Sequence, residues 1–223
     1  VTLNRVWIPS PNYSSRGAAT VRLIVIHTAE GALTYQSLGS FFANPSSGVS
    51  SQVGIDDTAN TVGEYVARAN KSWAAASFNP QATQAELCAF AAWTPADWDR
   101  HPNMLANCAA WIAEEAAAFA IPIVRLTAAQ AQSNGRGVCG HVDLGSGGGG
   151  HWDPGPGFPM DQVISMAAGG AGPPTNLEDE NVTSYVSGTQ QHVFAQRSDG
   201  TVDHWWYDSA APTAGWKHAT LPK

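Results

Sequence analysis

Apolar and polar positions alternate with two different periods along most of the chain, and with one period near its end. The run Val21-Arg-Leu-Ile-Val-Ile-His27 is β-branched and almost wholly apolar, which predicts a buried central strand with a histidine at its C-terminal end. Tyr35 to Ala43 then carries helical spacing through Leu38, Phe41 and Phe42. Val49 to Asp56 and Thr61 to Val66 read as the arms of a hairpin around Asp57-Thr-Ala-Asn60. A helix is expected from about Thr83 to Trp93, because Gln81 to Glu86 lacks breakers and Leu87, Phe90 and Ala91 share a face. The strongest helical signal is Met104 to Phe119, where Leu105, Cys108, Ile112 and Phe119 stand among many alanines. Short extended segments are expected at Ile121 to Val124 and at Val138 to Val142. A last helix is expected from Met160 to Ala168, with Pro159 at its first turn.

Strands interleaved with helices predict a mixed α/β domain over residues 1–168. Gly169-Gly-Ala-Gly-Pro-Pro-Thr-Asn then changes the composition, so residues 169–180 read as a linker, part flexible and part stiffened by proline. From 181 to 223 the pattern is β alone: Val182 to Val186, His192 to Arg197, a turn at Ser198-Asp-Gly200, and Thr201 to Tyr207. So short a run of hairpins buries too little surface to stand alone. It is expected to pack on a partner or to be one unit of a longer repeat array.

Composition narrows the function classes. The 223 residues are 43% hydrophobic, which excludes disorder as the starting assumption. The net charge is −7, with eight Lys/Arg against twelve Asp/Glu through Gly170 and three against six beyond it, and no basic stripe; a nucleic-acid partner is excluded on that ground. Apolar runs are too short and interrupted for a transmembrane segment. Val1 to Pro11 holds one arginine and no apolar stretch, so no signal peptide is expected there. The cysteines Cys88, Cys108 and Cys139 form no CxxC pair and read mostly as buried small hydrophobes, with a Cys88–Cys108 bridge conceivable.

Three segments carry candidate chemistry: Ile26-His27-Thr28, Gly140-His141-Val-Asp143 and His151-Trp-Asp153-Pro-Gly155. A histidine at a buried strand end is aimed with little rotamer freedom. Two imidazoles and one carboxylate suit a tetrahedral zinc site that keeps a fourth position for water. Each residue also has a plain structural reading, since a strand histidine is commonly hydrogen-bonded core and Asp-Pro-Gly commonly a turn. The glycine-rich stretch Gly145 to Gly150 lacks the Gly-Lys-Ser/Thr of a phosphate loop and reads as a flexible connection between His141 and Asp153.

Taken together, Ile24-Val-Ile-His27-Thr, Val49-Ser-Ser-Gln-Val-Gly-Ile-Asp56, Gln84-Ala-Glu86-Leu, Val138-Cys-Gly-His141-Val-Asp and His151-Trp-Asp153-Pro-Gly-Pro-Gly-Phe-Pro159 resemble the zinc N-acetylmuramoyl-L-alanine amidases of the phage-lysozyme, AmpD-like and peptidoglycan-recognition-protein superfamily. The resemblance spans about Leu23 to Val163. It implies a central mixed sheet flanked by helices. It also implies Zn2+ on His27, His141 and Asp153, and hydrolysis of the N-acetylmuramic acid–L-alanine amide of bacterial peptidoglycan by a zinc-activated water. An endolysin or an autolysin acting at the cell wall fits, with the export route open; a non-catalytic peptidoglycan- or carbohydrate-binding protein is the alternative.

By the same resemblance Glu86 sits at the position of a catalytic glutamate, although a glutamate at a helix N-terminus has a stabilising role of its own. His151 replaces a lysine that many relatives carry two residues before the metal-binding aspartate. It implies an oxyanion donor sensitive to pH near neutrality; lining the loop and ligating the metal are its other readings. Gln52-Val53 stands where relatives carry a His-Tyr or Tyr-His pair, and Ala74-Ala-Ala76 lacks a later strand-end histidine. Both departures bear on turnover rather than on metal binding. Cys139 does not occupy the position at which one branch ligates zinc through cysteine, so it reads as structural. In the tail, Gln196-Arg-Ser-Asp-Gly-Thr-Val-Asp-His-Trp-Trp-Tyr-Asp208 and Gly215-Trp216 resemble one blade of the fucose-lectin-like β-propellers. That leaves Trp205, Trp206 and Trp216 either stacking on wall glycan or forming the small sheet's own core.

Overall fold

The structure, a computed structural model, describes residues 2–31, 33–169, 182–187, 189–196, 201–208, 210 and 217–221. In chain order, β1 (Asn4–Trp7), β2 (Tyr13–Ser15) and β3 (Leu23–Thr28) precede α1 (Tyr35–Phe42). Next come β4 (Val53–Ile55), β5 (Thr61–Glu64), β6 (Asn70–Ser72) and β7 (Ala82–Leu87), then α2 (Pro95–Trp98), α3 (Pro102–Phe119), α4 (Ala128–Gln132), β8 (Gly137–Gly140) and α5 (Met160–Ala167). Six strands form one mixed sheet in the order β1-β5-β4-β7-β3-β8, each neighbouring pair parallel except β4 with β5.

β3 is buried along its whole length because both faces of the sheet are covered. Ile24 and Ile26 face one core with Ala85 and Leu87 of β7, Leu105, Cys108, Trp111 and Ile112 of α3, and Val163 and Ile164 of α5. Leu23 and Val25 face a second, smaller core with Ala82, Leu126, Ala131, Cys139 and Leu144. Each aliphatic side chain buried this way contributes about 1.5–3 kcal/mol of transfer free energy, which anchors the strand that ends in His27. Alternation along β3 puts His27 on the side of Leu23 and Val25, away from α3.

The helix expected over Thr83 to Trp93 is instead a strand, β7, seated between β4 and β3. Its residues alternate between an α3-facing set (Thr83, Ala85, Leu87) and an opposite set (Ala82, Gln84, Glu86). Thr83 and Gln84 are fully buried yet satisfied: Thr83 Oγ1 donates to Glu115 Oε2 at 2.9 Å, and Gln84 joins a side-chain network described below. Polar residues at buried positions hide the strand from a hydrophobicity pattern, and Leu87, Phe90 and Ala91 share a helical face only by chance of spacing. Ile121 to Val124 forms no strand; the neighbouring Arg125 makes an isolated parallel bridge to Val138. The hairpin, α1, α3, β8 and α5 lie where the patterning placed them, with β4 and β5 shorter than expected.

The described residues beyond 181 contain β9 (Val182–Ser187), β10 (Gln190–Gln196), β11 (Val202–Asp208) and β12 (Lys217–Leu221), an antiparallel sheet in the order β12-β11-β10-β9. Trp205 is buried and Trp206 half-buried. The expected linker beyond Gly169, the Ser198–Gly200 turn and Trp216 lie outside the described residues. All three cysteines are buried and free, so Cys88 and Cys108 are not bridged.

Candidate metal centre

Two adjacent parallel strands deliver the first two side chains. β3 pairs with β8 through Ile26 opposite Gly140, so the next residue on each, His27 and His141, meets at the sheet's C-terminal edge. The third, Asp153, is tethered to both: the Val142 N–H donates to the Asp153 carbonyl at 2.9 Å, and the Thr28 N–H donates to Asp153 Oδ2 at 3.2 Å. This approach needs Gly140, because a Cβ there would stand 2.7 Å from Pro154 Cδ.

The three side chains are buried, and their ligand atoms lie within 4.8 Å of one another, the one such group of His, Cys, Asp or Glu among the described residues. His27 Nδ1 is 2.9 Å from His141 Nδ1; Asp153 offers Oδ1 at 3.1 Å from His141 Nδ1 and Oδ2 at 3.5 Å from His27 Nδ1. The far nitrogens are engaged elsewhere. His141 Nε2 meets the Gly148 carbonyl at 2.7 Å, and His27 Nε2 meets Gln84 Oε1 at 3.1 Å. Carbonyl oxygens only accept, so each Nε2 carries its ring's proton and each Nδ1 its lone pair.

Two lone pairs and a carboxylate facing one another in a buried space repel unless a cation lies among them, so these residues fit a divalent metal. Burial first, and the neighbouring His141, hold His27 below its usual range against the opposing pull of Asp153, which keeps the ring neutral.

Glu86 is the register partner of His27 and reaches the same cleft from β7, not from a helix start as the sequence led us to expect. The residue borders open space, but Oε2 itself is shielded and has no hydrogen-bond partner. Burial above all, then the charges of Asp153 and Glu30, push its carboxyl well above the usual 4.5. His151 is exposed at the rim, stacked on His141 with ring centroids 4.3 Å apart; its Nδ1 is 3.9 Å from Asp153 Oδ1, outside the group of three. The cleft holds about 410 Å³. One wall is apolar, with exposed Leu33, Phe41 and Val49; the other is the imidazoles and carboxyls.

The structure thus brings together all five residues singled out from sequence. It adds two that were missed, Gln84 and Gly148, which contact the far nitrogens of the imidazoles. Gln84 stands two positions before Glu86, and a strand reading of this segment would have put both on one face. His141–Gly148 forms two short 3-10 turns separated by a kink at Gly145, and the Gly148 carbonyl at the end of the second meets His141.

The sequence profile described as N-acetylmuramoyl-L-alanine amidase matches residues 17–156, more than half of the chain. This chain belongs to the N-acetylmuramoyl-L-alanine amidase family. A second profile, a repeat of unknown function, matches residues 190–220. No curated protein sequence matches. Among solved structures, the amidase resembles the Staphylococcus aureus hydrolase AmiA (20% identical, covering 69% of this chain and 74% of that one, TM-score 0.53). It also resembles a mutant endolysin from Bacillus subtilis (18% identical, 75% and 98% covered, TM-score 0.53). A third is the N-acetylmuramoyl-L-alanine amidase LysC from Clostridium intestinale (16% identical, 74% and 97% covered, TM-score 0.52). Identities this low speak for a shared fold, a mixed sheet flanked by helices. No helix among the described residues is long and apolar enough to cross a membrane.

Proposed function

We propose that this amidase cuts the bond between the lactyl group of N-acetylmuramic acid and L-alanine in bacterial peptidoglycan, with Zn2+ held by His27, His141 and Asp153. The observation that carries the reading is the facing pair of imidazole lone pairs beside an ionised carboxylate, at the base of a cleft, in a chain of this family. Two neutral nitrogen donors and one oxygen donor suit zinc with one position left open. When bound, zinc acidifies water and polarises the scissile carbonyl.

The protein's own groups do the rest. Glu86 takes a proton from the attacking water and returns it to the leaving amine nitrogen. Its unpaired Oε2 and its raised proton affinity both suit that exchange. Glu30 also lines the cleft but is engaged by the Thr28 hydroxyl and the Ala91 N–H, which leaves Glu86, with its Oε2 unpaired, as the carboxyl suited to handling the proton. His151, exposed beside Asp153, donates a hydrogen bond to the oxyanion. Leu33, Phe41 and Val49 offer the aliphatic parts of the stem peptide an apolar wall. Residues 1–168 are the catalytic unit, 169–180 the connection, and 181–223 a wall contact in which half-buried Trp206, stacked with His204 at 4.9 Å, meets glycan. An endolysin or an autolysin has this layout.

Incubating the purified chain with sacculi tests the reading. Release of free L-alanine amino termini that stops on chelation and returns with zinc is the expected result. Tight binding to sacculi with no release in the presence of zinc overturns it in favour of a binding module.

A further inference from the structure

Beneath the metal centre runs a buried line of side chains that the reaction does not touch: Gln52, Ser72 and Gln84, exposed by 3%, 0% and 0%. Backbone groups at its edges dictate where its protons lie. The Gln84 N–H donates to Gln52 Oε1 at 2.9 Å, and Gln52 Nε2 donates to the Asn70 carbonyl at 3.1 Å. A backbone N–H only donates and a carbonyl only accepts, so the Gln52 amide has one possible orientation. Ser72 Oγ directs its single proton to Gln52 Oε1 at 2.8 Å and must therefore accept from the Gln84 atom 3.0 Å away, which is the amide nitrogen.

A second route gives the same answer. Asn79 Oδ1 accepts from the Ala74 and Ala75 N–H groups at 3.2 and 2.7 Å, and it faces the same Gln84 atom at 3.1 Å, which again must be a donor. With its nitrogen turned to Ser72 and Asn79, Gln84 can show His27 only Oε1, at 3.1 Å from Nε2. An amide oxygen cannot donate, so His27 keeps its proton on Nε2.

We infer that Gln84 is a positioning residue that locks His27 in the Nε2–H tautomer and so presets Nδ1 as the ligand atom for a divalent cation. The inference rests on the metal reading given above. Gln84 lies opposite Val25 on β7, two residues before Glu86, so one strand carries both the group that orients a ligand and the carboxyl that moves the proton. The lock reaches through Ser72 and Gln52 to main-chain groups, which no local side-chain rotation can reverse.

The test uses the full chain in three forms: wild type, Gln84→Leu and Gln84→Glu. Nitrogen-15 NMR of labelled histidines, with the His27 signal assigned by its loss in His27→Ala, reads the metal-free tautomer. Zinc titration against a competing chelator reads affinity. The wild type is expected to show His27 as Nε2–H. Gln84→Leu should show mixed tautomers and bind zinc about 10–100-fold more weakly, as loss of an outer-shell partner does. Gln84→Glu keeps an acceptor oxygen for His27 but has at most one O–H where the amide has two N–H donors; it should keep His27 as Nε2–H and bind zinc less than about 10-fold more weakly than wild type.

A folded Gln84→Leu protein that binds zinc as tightly as wild type, or a wild-type His27 protonated on Nδ1, overturns the inference. Should Gln84→Leu fail to fold, the wild-type tautomer and the Gln84→Glu affinity decide it. A wild type that takes up no zinc removes the metal reading alone, and the tautomer spectra then decide the role of Gln84.

Discussion

His27 on β3 and Glu86 on β7 are opposite one another in neighbouring parallel strands, and both point into the cleft. Their spacing is therefore set by sheet hydrogen bonds rather than by a loop. In the proposed reaction, a metal ligand and a proton-transfer group held in this way would keep their relation through substrate binding and product release.

Removing either imidazole should remove metal and activity together. His27→Ala and His141→Ala are expected to hold zinc only at background by metal analysis. They should also lose several kcal/mol of transition-state stabilisation, about a thousandfold or more in rate. Zinc retained at full stoichiometry in either variant contradicts the assignment.

Glu86→Gln separates chemistry from binding. The amide cannot accept the water proton, so turnover should drop by about 10²–10⁴-fold while zinc content stays at the wild-type level. Wild-type rates in this variant would take the proton-handling role away from Glu86.

The same carboxyl makes metal-free stability depend on pH. The folded chain holds the Glu86 proton well above 4.5, whereas the unfolded chain releases it near that value. Above that pH the unfolded state binds fewer protons, so stability falls as pH rises until the folded carboxyl also ionises. One such group gives a slope of up to about 1.4 kcal/mol per pH unit. Denaturant unfolding of chelator-treated protein should therefore show Glu86→Gln gaining on wild type from about pH 5 toward neutrality. Parallel curves would show that Glu86 is not held protonated.

His151→Lys should extend activity toward higher pH, because an ammonium keeps its charge where an imidazole loses it. His151→Ala should lower turnover by about 10²–10³-fold if the side chain serves the oxyanion. A pH–rate profile unchanged in the lysine variant argues against that role.

The parts legible in the sequence were those where chemistry and patterning coincide. His27 closes an apolar run and His141 and Asp153 sit in compact motifs, which made each a candidate; that the three form one ligand set was implied by the family resemblance. Glu86 was found as a residue but placed on the wrong element. β7 turns Gln84 into a buried hydrogen-bond network and leaves Glu86 on the cleft side, so its polar residues read as an exposed face. β1, β2 and β6 were missed for a related reason: Asn4–Trp7, Tyr13–Ser15 and Asn70–Ser72 are short and largely polar, and become strands through pairing with β5 and with each other. Pairing partners distant in sequence leave no periodic trace. The work of Gly148 was invisible because it is done by a main-chain oxygen.

The unlike walls of the cleft separate what the enzyme does from what it accepts. Leu33, Phe41 and Val49 come from the segment around α1, whereas the ionisable wall hangs on β3, β7 and the end of β8. If the proposed reading holds, exchanges among the three apolar residues should retune which peptide stems fit while the ionisable wall stays intact, so fit and chemistry can drift independently in such a scaffold.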